Sequence, residues 1–118
     1  MQIKWKVEIL CKRILERNLK FQWSCATRTD LFGRPYRSLE KREKIADLMK
    51  EAGCYSTGFS LESANDEILK MMNKKVNKEY FSEHIRILKK AGIVTFTSIV
   101  FGYPIETKET IRETFDMC

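Results

Sequence analysis

The sequence predicts an α/β fold in which three parallel strands are flanked by helices, as in one part of a βα barrel. The main observation is a pattern that occurs twice. Residues 48–53 (LMKEAG) precede an apolar run that ends in 60–63 (SLES), and residues 88–92 (LKKAG) precede a longer run that ends in 102–107 (GYPIET). Each unit is typical of a helix, a glycine stop, a strand and a polar turn that opens the next helix. Strands separated by helices are joined by right-handed crossovers and therefore lie parallel.

The first helix and the first strand are predicted near the start of the chain. Apolar side chains recur at helical spacing over residues 6–18, and Asn18 can end this helix in a left-handed turn. Apolar and polar residues then alternate over residues 21–25, which is typical of a short strand. The next segment, residues 26–35, contains a glycine and a proline and is predicted to be a loop.

The second unit is a helix followed by a strand. Ser38 is a favourable N-cap for a helix that runs to Ala52, and Gly53 follows it at a position where positive φ is accessible. Residues 54–61 form the second predicted strand. Gly58 lies inside that strand, which indicates a close approach of backbone or ligand.

Two helices and a third strand follow. Asn65 can cap a short helix, and Asn77 can cap a longer amphipathic helix that Gly92 closes. Residues 93–101 form a near-continuous apolar run, so we expect this strand to be buried on both faces in the middle of a parallel sheet. Thr107 is predicted to cap the last helix.

Composition limits the classes of protein that the chain can represent. Its 118 residues suffice for one small domain, and 43% hydrophobic with 32% charged residues is typical of a globular chain. The net charge of +6 lies largely in helical stretches, which favours solvated helix surfaces over a nucleic-acid interface. No segment has the length of a membrane span or the pattern of a signal peptide, so we expect a cytoplasmic protein without a membrane partner. The four cysteines have no metal-binding spacing, and we expect Cys25 and Cys54 to be buried core thiols.

Polar side chains follow the predicted strands, at the edge where parallel α/β folds bind ligands. Glu62 and Glu106 each precede a hydroxyl residue, and either carboxylate can bind a ligand or favour the positive end of the next helix. Two carboxylates at equivalent positions favour a ligand role for at least one. Arg28 can bind a carboxylate or a phosphate, or can tie down its own loop. Lys74 can reach a carboxylate ligand, although alone it is typical of a surface lysine.

Other kinds of catalytic chemistry have little support in the sequence. His84 is the single histidine and lies between apolar helix positions, which predicts a structural role. Ser60 has no adjacent base, so a nucleophilic serine is not indicated. No phosphate-binding or dinucleotide-binding glycine motif occurs. We therefore assign no catalytic residue and no metal ligand.

Four ordered stretches resemble the radical S-adenosylmethionine enzymes, particularly those with an upstream cobalamin-binding domain. The stretches are 23–30 (WSCATRTD), 52–54 with 60–63 (AGC and SLES), 69–74 (LKMMNK) and 102–107 (GYPIET). The resemblance implies a (βα)6 partial TIM-type barrel that holds S-adenosylmethionine against a four-iron four-sulfur cluster. In that family the reduced cluster cleaves the sulfonium to a 5′-deoxyadenosyl radical. For the subgroup with an upstream cobalamin-binding domain, the resemblance also implies cobalamin as a candidate cofactor.

The resemblance also implies a set of cofactor-binding residues. Glu62 would contact the ribose or the amino-acid part of S-adenosylmethionine, and Lys74 would pair with the carboxylate of that cofactor. Ser98 would face the ribose hydroxyls, Gly102 and the turn after it would shape the adenine pocket, and Arg28 matches an arginine of the third-strand rim. The full set is Arg28, Ser60, Glu62, Lys74, Ser98, Gly102, Pro104 and Glu106.

The sequence departs from the family at the cluster. The family holds its cluster with C-x₃-C-x₂-C after the first strand, and that motif does not occur here. We therefore expect residues 1–118 to be the central part of the core domain, from its second helix to the start of its fifth. The missing N-terminal and C-terminal parts of the barrel would be its partners. Alone, the chain would be inactive and would self-associate through open sheet edges.

Two alternatives stay open from the sequence. The first is a non-catalytic α/β module that binds or interacts without the cluster. The second is a basic nucleic-acid-binding domain, for which only the net charge argues. The sequence does not indicate the substrate or the type of reaction.

Overall fold

The computed structural model describes residues 6–28 and 37–118. Within these residues the order of elements is αβαβααβα, as predicted. The elements are α1 (Lys6–Glu16), β1 (Trp23–Ala26), α2 (Leu39–Glu51), β2 (Cys54–Glu62), α3 (Asp66–Met71), α4 (Lys78–Lys90), β3 (Val94–Ile99) and α5 (Lys108–Met117). The predicted loop over residues 26–35 lies outside the described residues from position 29 onward.

The three strands of the described residues form one parallel sheet in the order β1-β2-β3. Cys25 pairs with Thr57, and Ser60 pairs with Ser98. Because all strands run in the same direction, their carboxyl ends lie along one edge. The structure therefore confirms the predicted fold of three parallel strands with flanking helices.

The position predicted for the third strand was wrong. The central strand is β2, and β3 lies at the edge of the described sheet. Val94 is 65% exposed and Phe96 is 59% exposed, whereas the prediction buried both faces of this strand. Successive βα units place their strands side by side, so the last strand of the described sheet has a neighbour on one side only. Alternate side chains of β3 point to the face that the helices leave uncovered.

The hydrophobic core lies between the helices and one face of the sheet. Phe59 and Leu61 of β2 are buried there, and Phe59 makes an edge-to-face contact with Phe81 of α4 at 5.2 Å. The predicted caps are confirmed: the side chains of Ser38, Asn65, Asn77 and Thr107 each accept a hydrogen bond from the first turn of a helix. These caps satisfy N–H groups that have no partner inside the helix.

Three cysteines of the core lie close together although they are dispersed in the sequence. The side chains of Cys25 and Cys54 interact, which lowers the pKa of Cys25 and raises that of Cys54, and the Cys54 thiol donates to the Ser56 carbonyl at 3.6 Å. Burial raises the pKa of Cys11 to about 11. Cys54 is buried as predicted, whereas Cys25, for which the same role was predicted, is only partly buried. Neutral thiols are favoured at Cys11 and Cys54. Among the described residues, no group of His, Cys, Asp and Glu side chains is arranged to hold a metal ion.

None of the helices in residues 6–28 and 37–118 combines the length and the apolarity that crossing a membrane requires.

Candidate functional site

The face of the sheet opposite the helices carries small and polar side chains near its carboxyl edge. Ser98 of β3 and Ser60 of β2 are paired in register, and their hydroxyl oxygens lie 3.0 Å apart in a hydrogen bond. Gly58 leaves room one step down the same face for Phe96, because a β-carbon at position 58 would lie 2.2 Å from the ring. The sequence predicted a close approach of backbone or ligand at Gly58, but the neighbour is instead the side chain of Phe96. The open face therefore presents two hydroxyls above an exposed aromatic ring.

Glu62 ends β2 in an unusual backbone conformation. Its φ is +67°, and the N–H of Ser63 donates to the carbonyl of Leu61 at 2.8 Å, which closes a γ-turn around Glu62. β3 and the residue after it hold this turn from the side: Val100 N–H donates to the Glu62 carbonyl at 2.9 Å, and the Thr97 hydroxyl of β3 accepts from Leu61 N–H at 3.0 Å. The ladder between β2 and β3 is irregular between Ser60 and Glu62, so the chain turns here instead of continuing the strand.

Lys74 approaches Glu62 from the end of α3. The Lys74 Nζ lies 3.6 Å from the Glu62 Oε1, and the Glu62 side chain is only 15% exposed. Asn73 precedes the lysine with a φ of +52°, which an asparagine tolerates, and its turn directs the chain back toward the sheet. Since Lys74 is half exposed, this ion pair contributes little stability, and both groups stay available to a ligand.

A cavity of about 530 Å³ opens between these groups, which is within the range of small-molecule sites. Its lining comes from the ends of β1 and β2 and from the segment after α3: Thr27, Arg28, Ser60, Glu62, Asn73, Lys74, Lys75 and Val76. The three basic side chains outnumber the single carboxylate. The cavity is therefore suited to a ligand that carries a carboxylate or another anionic group together with hydroxyl donors for Glu62.

The structure brings together only part of the predicted site. Arg28, Ser60, Glu62 and Lys74 line the cavity, and Ser98 reaches it through its hydrogen bond to Ser60. The remaining predicted residues lie in the loop after β3 and do not line it.

That loop folds back on itself. Gly102 has a φ of +91°, with no atom within 4 Å of the position that a β-carbon would occupy. The N–H of Gly102 donates to the carboxylate of Glu106, whose own N–H donates to the Tyr103 carbonyl at 2.9 Å. Pro104 is exposed. Glu106 thus closes the loop before α5, and the assignment of Gly102, Pro104 and Glu106 as cofactor-binding residues stays a prediction.

Some cavity residues were not predicted from the sequence. Lys75 adjoins Lys74, and Asn73 was assigned only to a turn. No feature of the sequence marked either residue as part of a site. Thr27 lines the cavity, and its hydroxyl lies 3.3 Å from Nε2 of His84. His84 is buried and packs edge-to-face on Phe59 at 4.9 Å, in agreement with its predicted structural role.

Comparisons with known proteins all point to one family. Residues 4–118 match the family described as the Radical SAM superfamily. The chain is 30% identical over 102 residues to an uncharacterized methyltransferase of Pyrococcus horikoshii, which covers 86% of this chain and 20% of that protein. It is 32% identical over 108 residues to the anaerobic magnesium-protoporphyrin IX monomethyl ester cyclase of Rubrivivax gelatinosus, which covers 91% of this chain and 18% of that protein. The chain thus spans about one fifth of the length of these relatives.

A solved structure shares the fold. The cobalamin-dependent S-adenosylmethionine radical enzyme OxsB, with aqua-cobalamin bound, matches with a TM-score of 0.79 at 22% sequence identity. The match covers 97% of this chain and 16% of OxsB. The arrangement of three parallel strands and their helices is therefore shared with a TIM-type barrel enzyme.

Proposed function

The chain belongs to the radical SAM superfamily, and we propose that it forms the S-adenosylmethionine-binding rim of a larger barrel enzyme. One observation carries the proposal: Glu62, Lys74 and the Ser60–Ser98 pair surround one cavity at the carboxyl edge of a parallel sheet. This is the edge at which such sheets bind their ligands.

The donors and acceptors around the cavity are compatible with S-adenosylmethionine. Glu62 is an acceptor for ribose hydroxyls or for the α-ammonium group, and Lys74 and Arg28 are cations for the α-carboxylate. The Ser60–Ser98 pair can exchange its mutual hydrogen bond for bonds to the ribose. The exposed backbone at Gly102 leaves space for the adenine ring beside the β3 edge.

The described residues do not fit the ligand set of an iron–sulfur cluster. Cys11 and Cys54 are buried in the core and Cys25 is partly buried against it, and neutral thiols are favoured at Cys11 and Cys54. Cluster ligation requires exposed thiolates that converge on one site. We therefore propose that the cluster ligands lie in another part of the parent enzyme. There the reduced cluster would supply the electron that generates a 5′-deoxyadenosyl radical from the bound cofactor.

The wider activity of that enzyme is part of the proposal. The names of the relatives include a methyltransferase and a cyclase, and OxsB is cobalamin-dependent. We propose S-adenosylmethionine and a four-iron four-sulfur cluster as cofactors, with cobalamin as a third in this subgroup. The cytoplasm is the proposed location. Methylation and cyclisation are both compatible with the rim because its residues contact the cofactor and not the substrate.

A second candidate is a non-catalytic module that binds ligands without a cluster. The absence of a metal-ligand group among residues 6–28 and 37–118 favours it. The coding sequence before Met1 distinguishes the two candidates. An in-frame C-x₃-C-x₂-C there supports the enzyme, and a start codon at Met1 without such a motif upstream supports the module.

The direct test uses the full-length polypeptide, purified without oxygen and reconstituted with iron and sulfide. Equilibrium binding of S-adenosylmethionine and formation of 5′-deoxyadenosine are measured for wild type, Glu62→Gln and Lys74→Met. Loss of a charged hydrogen-bond partner is expected to weaken binding by roughly tenfold or more. Glu67→Gln and Lys70→Met on the exposed side of α3 are matched controls that change the same residue types outside the cavity. Unchanged affinity in Glu62→Gln and Lys74→Met would refute the proposed site.

A further inference from the structure

The backbone conformation of Glu62 is costly for its residue type. Among the described residues, three that are not glycine have positive φ: Asn18, Glu62 and Asn73. Asparagine is strongly enriched at such positions, whereas a glutamate there is unusual. The γ-turn with positive φ at its central residue is a rare and strained conformation. Strain of this kind persists only where surrounding contacts hold it, and it is concentrated at functional sites.

The two residues after the strained position are held by a buried hydroxyl of α5. The Thr114 Oγ1 accepts a hydrogen bond from Ala64 N–H at 3.0 Å and donates to the Thr110 carbonyl at 3.2 Å. The Ser63 hydroxyl lies 3.5 Å from Thr114 Oγ1 and accepts from Asn65 N–H at 3.1 Å. Ser63 and Thr114 are each 1% exposed, so neither has water as an alternative partner.

A second, exposed contact joins the same two segments. The Asn65 side-chain amide donates to Glu113 Oε2 at 3.0 Å, one residue before Thr114 on α5. Thus α5 holds the three residues that follow Glu62, while Thr97 of β3 and Val100 just after β3 hold the turn from the other side. With both ends restrained, Glu62 keeps its positive φ, and its carboxylate stays beside Lys74.

We propose that Thr114 is a positioning residue for the cofactor site: its buried hydroxyl fixes the turn that directs the Glu62 carboxylate into the cavity. The inference rests on the proposed role of Glu62 in binding S-adenosylmethionine. It adds a residue that contacts neither the cavity nor the cofactor and that lies 52 positions after Glu62 in the sequence.

The test compares three variants of the full-length, cluster-reconstituted polypeptide by equilibrium binding of S-adenosylmethionine. Thr114→Val keeps the shape of the side chain but removes the hydroxyl, and we expect the Kd to rise about tenfold. Thr114→Ser keeps the hydroxyl and is expected to stay within about twofold of wild type. Thr57→Val is the matched control, because Thr57 is also fully buried and its hydroxyl has no hydrogen-bond partner in the described part of the chain. It should leave the Kd unchanged.

A double-mutant cycle separates positioning from general destabilisation. If Thr114 acts through Glu62, Thr114→Val should change the Kd less than about twofold when Glu62→Gln is already present. Equal effects of Thr114→Val in both backgrounds would overturn the proposal, as would unchanged affinity in Thr114→Val or failure of Thr114→Ser to restore binding. If wild type does not bind S-adenosylmethionine, the proposed function fails, and the positioning role fails with it.

A surface variant covers the case in which Thr114→Val does not fold. Glu113→Ala removes the exposed contact to Asn65 and leaves the core intact. We expect it to raise the Kd about twofold to threefold in wild type and to have no effect beside Glu62→Gln. An unchanged Kd for Glu113→Ala would then overturn the proposal.

Discussion

Strain at position 62 predicts an inverted preference between alanine and glycine. Glu62→Ala and Glu62→Gly both remove the carboxylate and its contact with Lys74, so the two variants differ only by the β-carbon. At the observed φ of +67° a β-carbon approaches its own backbone, and glycine avoids that contact. Glu62→Gly should therefore be more stable than Glu62→Ala, against the usual order of these residues.

The magnitude follows from two opposing effects. A residue with a β-carbon loses about 1–2 kcal/mol in the left-handed region. Glycine avoids this cost, but about 0.4–1 kcal/mol of the gain is lost because a glycine gives the unfolded chain more conformations. We expect Glu62→Gly to exceed Glu62→Ala by about 0.5–1 kcal/mol in the free energy of unfolding. Neither variant should bind S-adenosylmethionine well, so stability and binding separate at this position.

Asp47 provides the matched control because it is exposed in the middle of α2. There alanine should be more stable than glycine by about 1 kcal/mol, since glycine is unfavourable in a helix. Equilibrium urea denaturation of the four variants measures both differences in the free energy of unfolding. The comparison requires that the slope of this free energy against urea concentration is the same in each pair of variants. If alanine were as stable as glycine at position 62, Glu62 would not hold its positive φ in solution. The argument for Thr114 would then fail as well.

Three further predictions concern stability and association. Gly53→Ala should cost about 2 kcal/mol or more, because φ is +94° and a β-carbon would lie 2.2 Å from the Phe21 carbonyl oxygen. Gly58→Ala should cost less than about 1 kcal/mol, because its neighbour is an exposed ring that can move; equal losses in thermal melts would contradict this contrast. The pKa of Cys11 is raised from 9.0 to about 11, so the folded state keeps a proton that the unfolded state loses. Stability should fall by about 2 kcal/mol between pH 9 and 11, and Cys11→Ala should reduce that fall; identical pH profiles would refute the assignment. The isolated chain should self-associate through β3, and Val94→Lys at this exposed edge should shift its size-exclusion profile toward the monomer, whereas an unshifted profile would exclude this edge.

Local chemistry accounts for the features that the sequence predicted well. The caps at Ser38 and Asn77 each bond N–H groups within three residues, so neighbouring positions suffice to identify them. The glycine stop at Gly53 follows from its own φ. For the candidate site, the ends of strands were predicted to carry Arg28 and Glu62, and both line the cavity because parallel strands end at a common edge.

Contacts between distant segments account for what the sequence missed. The apolar run of β3 predicted burial on both faces, but the number of neighbours of a strand depends on the whole sheet, and Phe96 is exposed. The γ-turn at Glu62 arises from hydrogen bonds to β3, and its restraint arises from Thr114, 50 residues after Ala64. A threonine on a helix gives no sign of which backbone N–H it will bond.

The sequence alone determined the succession of helices and strands, their parallel direction and the family, because these depend on short-range periodicity, caps and ordered motifs. The tertiary structure decided which face of the sheet stays open, and it brought Glu62, Lys74 and the paired serines to one cavity. It also decided that the Glu62 turn is held from α5. These outcomes depend on hydrogen bonds and packing between residues far apart in the chain, and such contacts exist only after the segments have folded together.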